Sequence, residues 1–143
     1  MPSYKFLEDI TWADLAFRAQ GQTIEELFKN CALAVTEAMV DPQTVAVKEE
    51  VEVKLEAGTL DDLLYDFLSE IVAIKDADGL LFSQFDVRVG RKNGKYELSA
   101  KLEGEEVDPD VQEVRDDVKA VTRHHFEVAK VHDGYEAQVI LDV

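Results

Sequence analysis

Carboxylates are the candidate functional groups of this sequence, and two of them occupy unusual positions. Asp14 ends a mainly apolar stretch that begins at Ile10, and Asp142 is the penultimate residue of an apolar segment, followed by the terminal carboxylate of Val143. Joined by a carboxylate from another strand, such oxygens would suit a divalent cation such as Ca²⁺ or Mg²⁺. The spacing by itself favours a frayed acidic terminus, so a metal site is the second interpretation.

Motifs for nucleophilic or nucleotide chemistry are absent from the sequence. It contains no G-x-S-x-G, C-x-x-C, H-E-x-x-H or Gly-rich phosphate-binding signature. The one cysteine, Cys31, falls on the apolar stripe of a predicted helix, where a thiol behaves as a small hydrophobic side chain. A single cysteine also gives no indication of an oxidising compartment.

The composition indicates one strongly acidic, soluble domain spanning residues 1–143. The chain carries 31 Asp and Glu against 15 Lys and Arg, for a formal net charge of −16, and 46% of its residues are hydrophobic. That length suits a single domain. The charge argues against direct binding to nucleic acid or to a membrane surface, since both require a concentrated basic surface. No signal peptide is recognisable, so we expect a cytoplasmic protein.

Two amphipathic helices are predicted from apolar residues at helical spacing. The first covers Ile24 to Met39 and begins after a capping box at Thr23. The second starts at Leu60, after a similar cap at Thr59, and ends near Gly79. Both apolar stripes are wide enough that these helices must pack against a sheet.

The remaining segments alternate as strands do, and Asn93-Gly94 has the sequence of a type I′ hairpin turn. The acidic segment 103–117 is predicted to be a loop or a ragged edge. The order of elements predicts an α+β fold in two layers, a mostly antiparallel β-sheet with two helices packed on one face. The predicted strands are Ser3 to Glu8, Leu15 to Gln20, Val51 to Leu55, Leu81 to Val89, Tyr96 to Leu102, Val118 to Val128 and Tyr135 to Val143.

Several segments, in order and over nearly the whole chain, resemble the archease family. Residues 4–8 and 13–19 (YKFLE and ADLAFRA) are similar to the family's opening signature. Residues 23–34 (TIEELFKNCALA) and 60–70 (LDDLLYDFLSE) resemble its two helices. The resemblance continues through 76–82, 104–109, 118–124 and the closing residues 137–143.

The resemblance implies a small α+β protein that activates the RtcB-type RNA ligase, the GTP-dependent enzyme that joins tRNA halves after intron removal. Such a protein assists guanylylation of the ligase's active-site histidine, permits multiple turnover and is not itself an enzyme. Two alternatives remain open. One is a general chaperone or modulator of RNA-modifying enzymes such as tRNA methyltransferases, and the other is a metal-dependent hydrolase.

The resemblance also implies ligands for a divalent metal ion. The aspartate of the family's opening signature falls on Asp14, and the last two residues fall on Asp142 and Val143, the latter through its terminal carboxylate. Ca²⁺ is the expected ion, with Mg²⁺ and Mn²⁺ as alternatives, because oxygen donors accept all three.

His124 matches a family histidine, which makes it a candidate contact to the ligase. Its neighbours depart from the family pattern, with arginine at position 123 in place of tyrosine and histidine at position 125 in place of glycine. The family histidine near the opening signature is also missing, and Asp9 close to that point is interpreted as a turn residue. A strand histidine hydrogen-bonded within the fold is the alternative for His124.

Overall fold

Two helices pack against strands of two antiparallel sheets in the computed structural model, which describes residues 3–7 and 14–143. The helices are α1 (Ile24–Met39) and α2 (Leu60–Asp78), with a short 3₁₀ turn at Pro42–Thr44. The strands are β1 (Tyr4–Leu7), β2 (Asp14–Gly21), β3 (Glu49–Ala57), β4 (Leu80–Lys92), β5 (Lys95–Glu106), β6 (Ala120–Val121), β7 (Glu127–Val131) and β8 (Gly134–Asp142).

The predicted α+β fold, with mostly antiparallel strands and two helices, is confirmed. The strands divide into two sheets, a feature that the sequence did not indicate. One has the order β1-β2-β8-β6, with β7 also paired to β8, and the other has the order β3-β5-β4. The core lies between the helices and these sheets, and the stacked rings of Phe28 in α1 and Phe67 in α2, 6.1 Å apart, lie within it.

The helix boundaries follow from local capping. The hydroxyl of Thr23 accepts a hydrogen bond from the amide of Glu26 at 3.0 Å, and Thr59 accepts one from Asp62 at 3.1 Å. These bonds satisfy amides that have no partner within a helix's first turn. Gly79 ends α2 in the left-handed conformation with φ of 65°, as the sequence predicted.

The predicted strand from Val118 to Val128 is wrong in its middle. Only Ala120–Val121 and Glu127–Val131 pair with β8, and residues 122–126 form a turn between these two short strands. The turn includes His125 with φ of 51°, a left-handed conformation that no strand accommodates. Within this turn Arg123 reaches α2, where its guanidinium donates to the Asp62 carboxylate.

The acidic segment 103–117 has a structural role that the sequence left open. Its first residues continue β5, and its later residues close the C-terminus of α1. The amide of Arg115 donates to the carbonyl of Met39 at 2.7 Å, and the amide of Asp116 donates to that of Ala38 at 3.1 Å. Because α1 ends without glycine or a basic residue, these bonds supply the capping that its final carbonyls need.

No helix within residues 3–7 and 14–143 combines the length and the apolar composition that crossing a bilayer requires.

Candidate functional site

Asp14 and Asp142 lie directly opposite each other in neighbouring strands. β2 begins at Asp14, β8 ends at Asp142, and the antiparallel register of the two strands pairs these residues. Directly opposed residues on adjacent strands have Cβ atoms about 4.5–5.5 Å apart and point to the same face of the sheet. The fold thus brings together two carboxylates from opposite ends of the sequence.

The two carboxylates face away from the helices. The next pair along the strands, Leu15 and Leu141, packs into the core, and alternation places Asp14 and Asp142 on the other face. On that outer face the neighbouring pair is Ala16 and Ile140, both buried, with 2% and 0% of their surface exposed. The carboxylates, themselves half-buried, therefore have an apolar neighbour row on one side.

The charges of this pair have no cationic partner in the described part of the chain. No Lys, Arg or His nitrogen there lies within 4.0 Å of either carboxylate, and no side-chain hydrogen bond reaches them. Like charges directly opposed in a sheet are destabilising. A bound divalent cation would remove that repulsion.

The donor set fits a hard divalent ion but is incomplete in side chains alone. Within residues 3–7 and 14–143, no group of three or more His, Cys, Asp and Glu side chains is arranged to hold a metal ion. Asp14 and Asp142 supply two carboxylates, and a carboxylate on Val143, which directly follows β8, is the third donor of the sequence interpretation. Oxygen donors of this kind suit Ca²⁺, Mg²⁺ or Mn²⁺.

The backbone of Asp142 is held on both sides. Asp14 pairs with it in β2, while Ala120 pairs with it in β6, and the amide of Lys119 donates to the Asp142 carbonyl at 2.8 Å. A strand end tied to two neighbours does not fray in the way that a free terminus does. The frayed acidic terminus favoured by spacing alone is therefore wrong for Asp142.

His124 lies on the exposed turn between β6 and β7, and its ring is 4.1 Å from that of His125. The turn contacts the outer face of the sheet through Gln138, whose side-chain nitrogen donates to the His125 carbonyl at 3.4 Å. The side-chain oxygen of Gln138 accepts a hydrogen bond from Arg18 at 2.9 Å. Gln138 precedes Asp142 by four residues of β8, a separation of about 14 Å. His124 is thus not a ligand at the carboxylate pair.

Arg123 holds this turn in place, a function that sequence reasoning missed. Its guanidinium lies 3.8 Å from the centre of the Tyr65 ring and donates to the Asp62 carboxylate at 2.7 Å. The hydrogen bond from Arg123 lowers the pKa of Asp62. The only sequence signal was the arginine in place of the family's tyrosine, which does not reveal partners on a distant helix.

Two further residues were singled out from the sequence, Cys31 and Asp9, of which the structure describes the first. Cys31 is fully buried in the core, and burial raises the pKa of its thiol far above the ordinary value, which agrees with a structural role. Asp9 lies outside the described residues.

Comparison with known proteins decides the family. The sequence model described as "Archease protein family (MTH1598/TM1083)" matches residues 4–143. The chain belongs to the archease family.

Relatives cover the chain almost completely. The archease of Pyrococcus furiosus is 37% identical over 132 residues, which are 92% of this chain and 93% of that protein. The archease of Methanothermobacter thermautotrophicus is 39% identical over 143 residues, all of both chains.

Solved structures share the fold. The solution structure of Methanobacterium thermoautotrophicum protein 1598 is 39% identical, covers 100% of both chains and superimposes with a TM-score of 0.88. A Thermotoga maritima crystal structure, described as an archease and possible chaperone, covers 96% of this chain and 97% of its own at a TM-score of 0.59. At 18% identity, the second shows a common fold alone.

Proposed function

We propose that this archease activates an RtcB-type RNA ligase in the cytoplasm by holding a divalent cation, Ca²⁺ in the first instance, for the ligase's guanylylation step. The observation that supports this proposal is the register that places Asp14 opposite Asp142. Two carboxylates on one outer face, without a cation from the described residues beside them, form an anionic site at the surface where a partner can reach it.

On this proposal the residues of the site bind and position the divalent cation and take no part in bond making or breaking. Asp14 and Asp142 are fixed by strand pairing. A bound divalent ion supplies charge neutralisation at phosphoryl oxygens, which is what attack on the α-phosphate of GTP requires. On this proposal the chain holds the ion for the ligase, and we propose that it is not an enzyme on its own.

Long-range electrostatics would favour the encounter. A ligase that binds RNA and GTP needs a basic channel, and this chain carries a formal net charge of −16. Attraction between oppositely charged surfaces accelerates the association of two proteins, and this acceleration decreases as salt screens the charges. The association rate with the ligase should therefore fall steeply as ionic strength rises.

The turn that carries His124 is the proposed second contact to the ligase. Arg123 ties the turn to α2, and Gln138 ties it to the sheet, so the backbone of the turn is held at a fixed place on the surface. Gln138, which contacts the turn, lies about 14 Å along β8 from Asp142. One partner surface of ordinary size spans both features.

A guanylylation assay of the cognate ligase tests the proposal. The ligase is incubated with GTP and with Mg²⁺ or Mn²⁺, each with and without added Ca²⁺, in the absence of RNA and in the presence of the wild-type protein, Asp14→Asn or Asp142→Asn. We expect stimulation by the wild type and none by either variant. Glu50→Gln, which removes one carboxylate from the directly opposed Glu50 and Glu103 pair in the other sheet, is the matched control and should stimulate fully.

Two outcomes would contradict the proposal. Full stimulation by the Asp14→Asn, Asp142→Asn double variant would show that the carboxylates are not needed. Release of phosphate or alcohol from a panel of phosphoesters by the purified protein would instead support a metal-dependent hydrolase.

A chaperone role is the second candidate, and the description of the Thermotoga maritima relative as a possible chaperone favours it. On that hypothesis the chain would modulate RNA-modifying enzymes such as tRNA methyltransferases. Measuring aggregation and product specificity of a methyltransferase with and without the protein separates the two. An effect on the methyltransferase that survives Asp14→Asn would assign a chaperone activity independent of the carboxylate pair.

A further inference from the structure

The hairpin between β4 and β5 concentrates positive charge in an otherwise acidic chain. Residues 88–95 contain four cations, Arg88, Arg91, Lys92 and Lys95, and no carboxylate. The turn itself is Asn93-Gly94, with φ of 53° and 78°. All four cations are exposed. We refer to these four residues and Lys54 as the basic tip.

Lys54 belongs to the basic tip through sheet register. Ser99 in β5 pairs with Lys54 on one side and with Arg88 on the other, so the three residues form one row across the sheet. The row faces away from the helices, since the preceding residues Val53 and Val87 are buried. A shallow hollow of about 680 Å³ lies over this row and the adjacent row of Gly90, Glu97 and Glu56, so two cations and two carboxylates line it.

Most of these charges are not neutralised inside the protein. Lys95 contacts Glu56 at 3.2 Å. No carboxylate of the described residues comes within 4.0 Å of Lys54, Arg88, Arg91 or Lys92. Arg91 instead lies 4.6 Å from the centre of the Tyr96 ring. These four cations have no carboxylate partner among the described residues and are therefore available to an anionic ligand from outside.

We infer that the basic tip binds the phosphodiester backbone of RNA. The choice of RNA rests on the proposed function, in which the chain acts beside an RNA ligase and its substrate. Interfaces with nucleic acid are polar and strongly basic, and an arginine plane or a tyrosine ring offers a surface on which a base can stack. Arg91, which lies over the partly buried Tyr96 ring, provides such a plane at the hairpin tip.

The surface composition favours RNA over an acidic protein. The centre of a protein interface is apolar and depleted of charge. In the described residues, the large exposed hydrophobic side chains all lie outside the hairpin, at Val47, Val107, Val111, Val114 and Val131. A second copy of this chain is also disfavoured, because two molecules of net charge −16 repel each other.

The net charge of the chain argued against direct binding to nucleic acid, because a net charge averages over the whole molecule. Asn93 is the sixth residue after Val87, the last buried residue of β4, so the turn lies about 20 Å farther along the strand. Charges in water at physiological salt are screened over about 8 Å. A phosphate at the tip therefore meets the five cations of the basic tip together with Glu56 and Glu97, a local excess of positive charge, while carboxylates elsewhere in the chain are screened.

The test measures binding of a fluorescein-labelled single-stranded uridylate RNA of about 20 nucleotides, longer than the site of one small domain. Each phosphate contact on a single strand contributes about −0.7 to the slope of log affinity against log salt. Four contacts predict that affinity falls about 50-fold between about 50 and 200 mM KCl. In the triple variant Arg88→Gln, Arg91→Gln, Lys92→Gln, the fall should be about threefold.

A matched control separates local from global charge. Lys5→Gln, Lys29→Gln, Lys130→Gln removes the same number of positive charges at exposed positions outside the hairpin and should bind RNA like the wild type. An equal loss of RNA affinity in both triple variants would overturn the inference, and so would the absence of RNA binding by the wild type at low salt. Displacement of the RNA by polyglutamate at equal charge concentration would overturn it in favour of an acidic protein partner.

The RNA-binding experiment can succeed or fail independently of the experiment that tests the proposed function. RNA binding is measured on this protein alone, whereas guanylylation of the ligase is measured without RNA. We expect the hairpin variant to stimulate guanylylation normally while losing RNA affinity. If stimulation fails for the wild type but RNA binds at the tip, the proposed function is wrong and the inference about the hairpin stands.

Discussion

Replacing Asp14 with Asn should stabilise the metal-free protein and abolish its thermal response to Ca²⁺. In the wild type the carboxylates of Asp14 and Asp142 face each other across β2 and β8. Two unit charges about 5 Å apart in water repel by about 0.8 kcal/mol, and opposed like charges in sheets cost roughly 0.2–1 kcal/mol. Asn keeps the shape of the side chain and removes the charge, so the repulsion disappears.

The expected shifts are large enough to measure by calorimetry. In buffer with EDTA, the Asp14→Asn variant should melt about 1–4 °C above the wild type. At a Ca²⁺ concentration of about 100 times its dissociation constant, binding stabilises the wild type by about 2.7 kcal/mol, or about 5–10 °C. The variant loses a ligand, so it should gain little and the order of the two melting temperatures should reverse.

A control variant distinguishes relief of repulsion from loss of a metal site. Glu50 and Glu103 are also directly opposed, in β3 and β5. Glu50→Gln changes the net charge by the same amount and should leave the Ca²⁺ response intact. The reasoning is refuted if Asp14→Asn destabilises the protein in EDTA, or if it retains the response of the wild type to Ca²⁺.

Three other variants test the scaffold. The hydrogen bond from the Ala46 amide lowers the pKa of Glu105. The ionised Glu105 carboxylate therefore stabilises the fold above about pH 4.3, and this stabilisation is lost as the pH falls through the lowered pKa. Glu105→Gln should therefore melt lower at pH 7, and this deficit should shrink as the pH falls below about 4; a deficit that stays the same as the pH falls would contradict this. Arg123→Met should cost less than about 2 kcal/mol in denaturant unfolding and raise the pKa of Asp62 measured by NMR; an unchanged pKa would contradict the contact. Gly104→Ala should prevent folding as judged by circular dichroism, because the added Cβ would lie 1.8 Å from the carbonyl oxygen of Leu81; a folded, stable variant would refute that.

Local features of the fold could be predicted because neighbouring residues decide them. The threonines before each helix, the glycine after α2 and the Asn93-Gly94 turn act within a few residues of themselves. Periodicity likewise identified the buried faces of both helices. The resemblance to the archease family, now established, pointed to Asp14 and Asp142 where spacing alone favoured a frayed end.

Tertiary structure decided which distant groups meet. Strand register alone places Asp14 opposite Asp142, and no local preference encodes that pairing. Residues 122–126 form a turn, with Arg123 in contact with α2, where alternation predicted one continuous strand. The basic tip is invisible in a net charge of −16, because composition sums charges that the β4–β5 hairpin separates in space. Pairings between residues far apart in sequence depend on the packing of the whole chain, and only the folded molecule shows them.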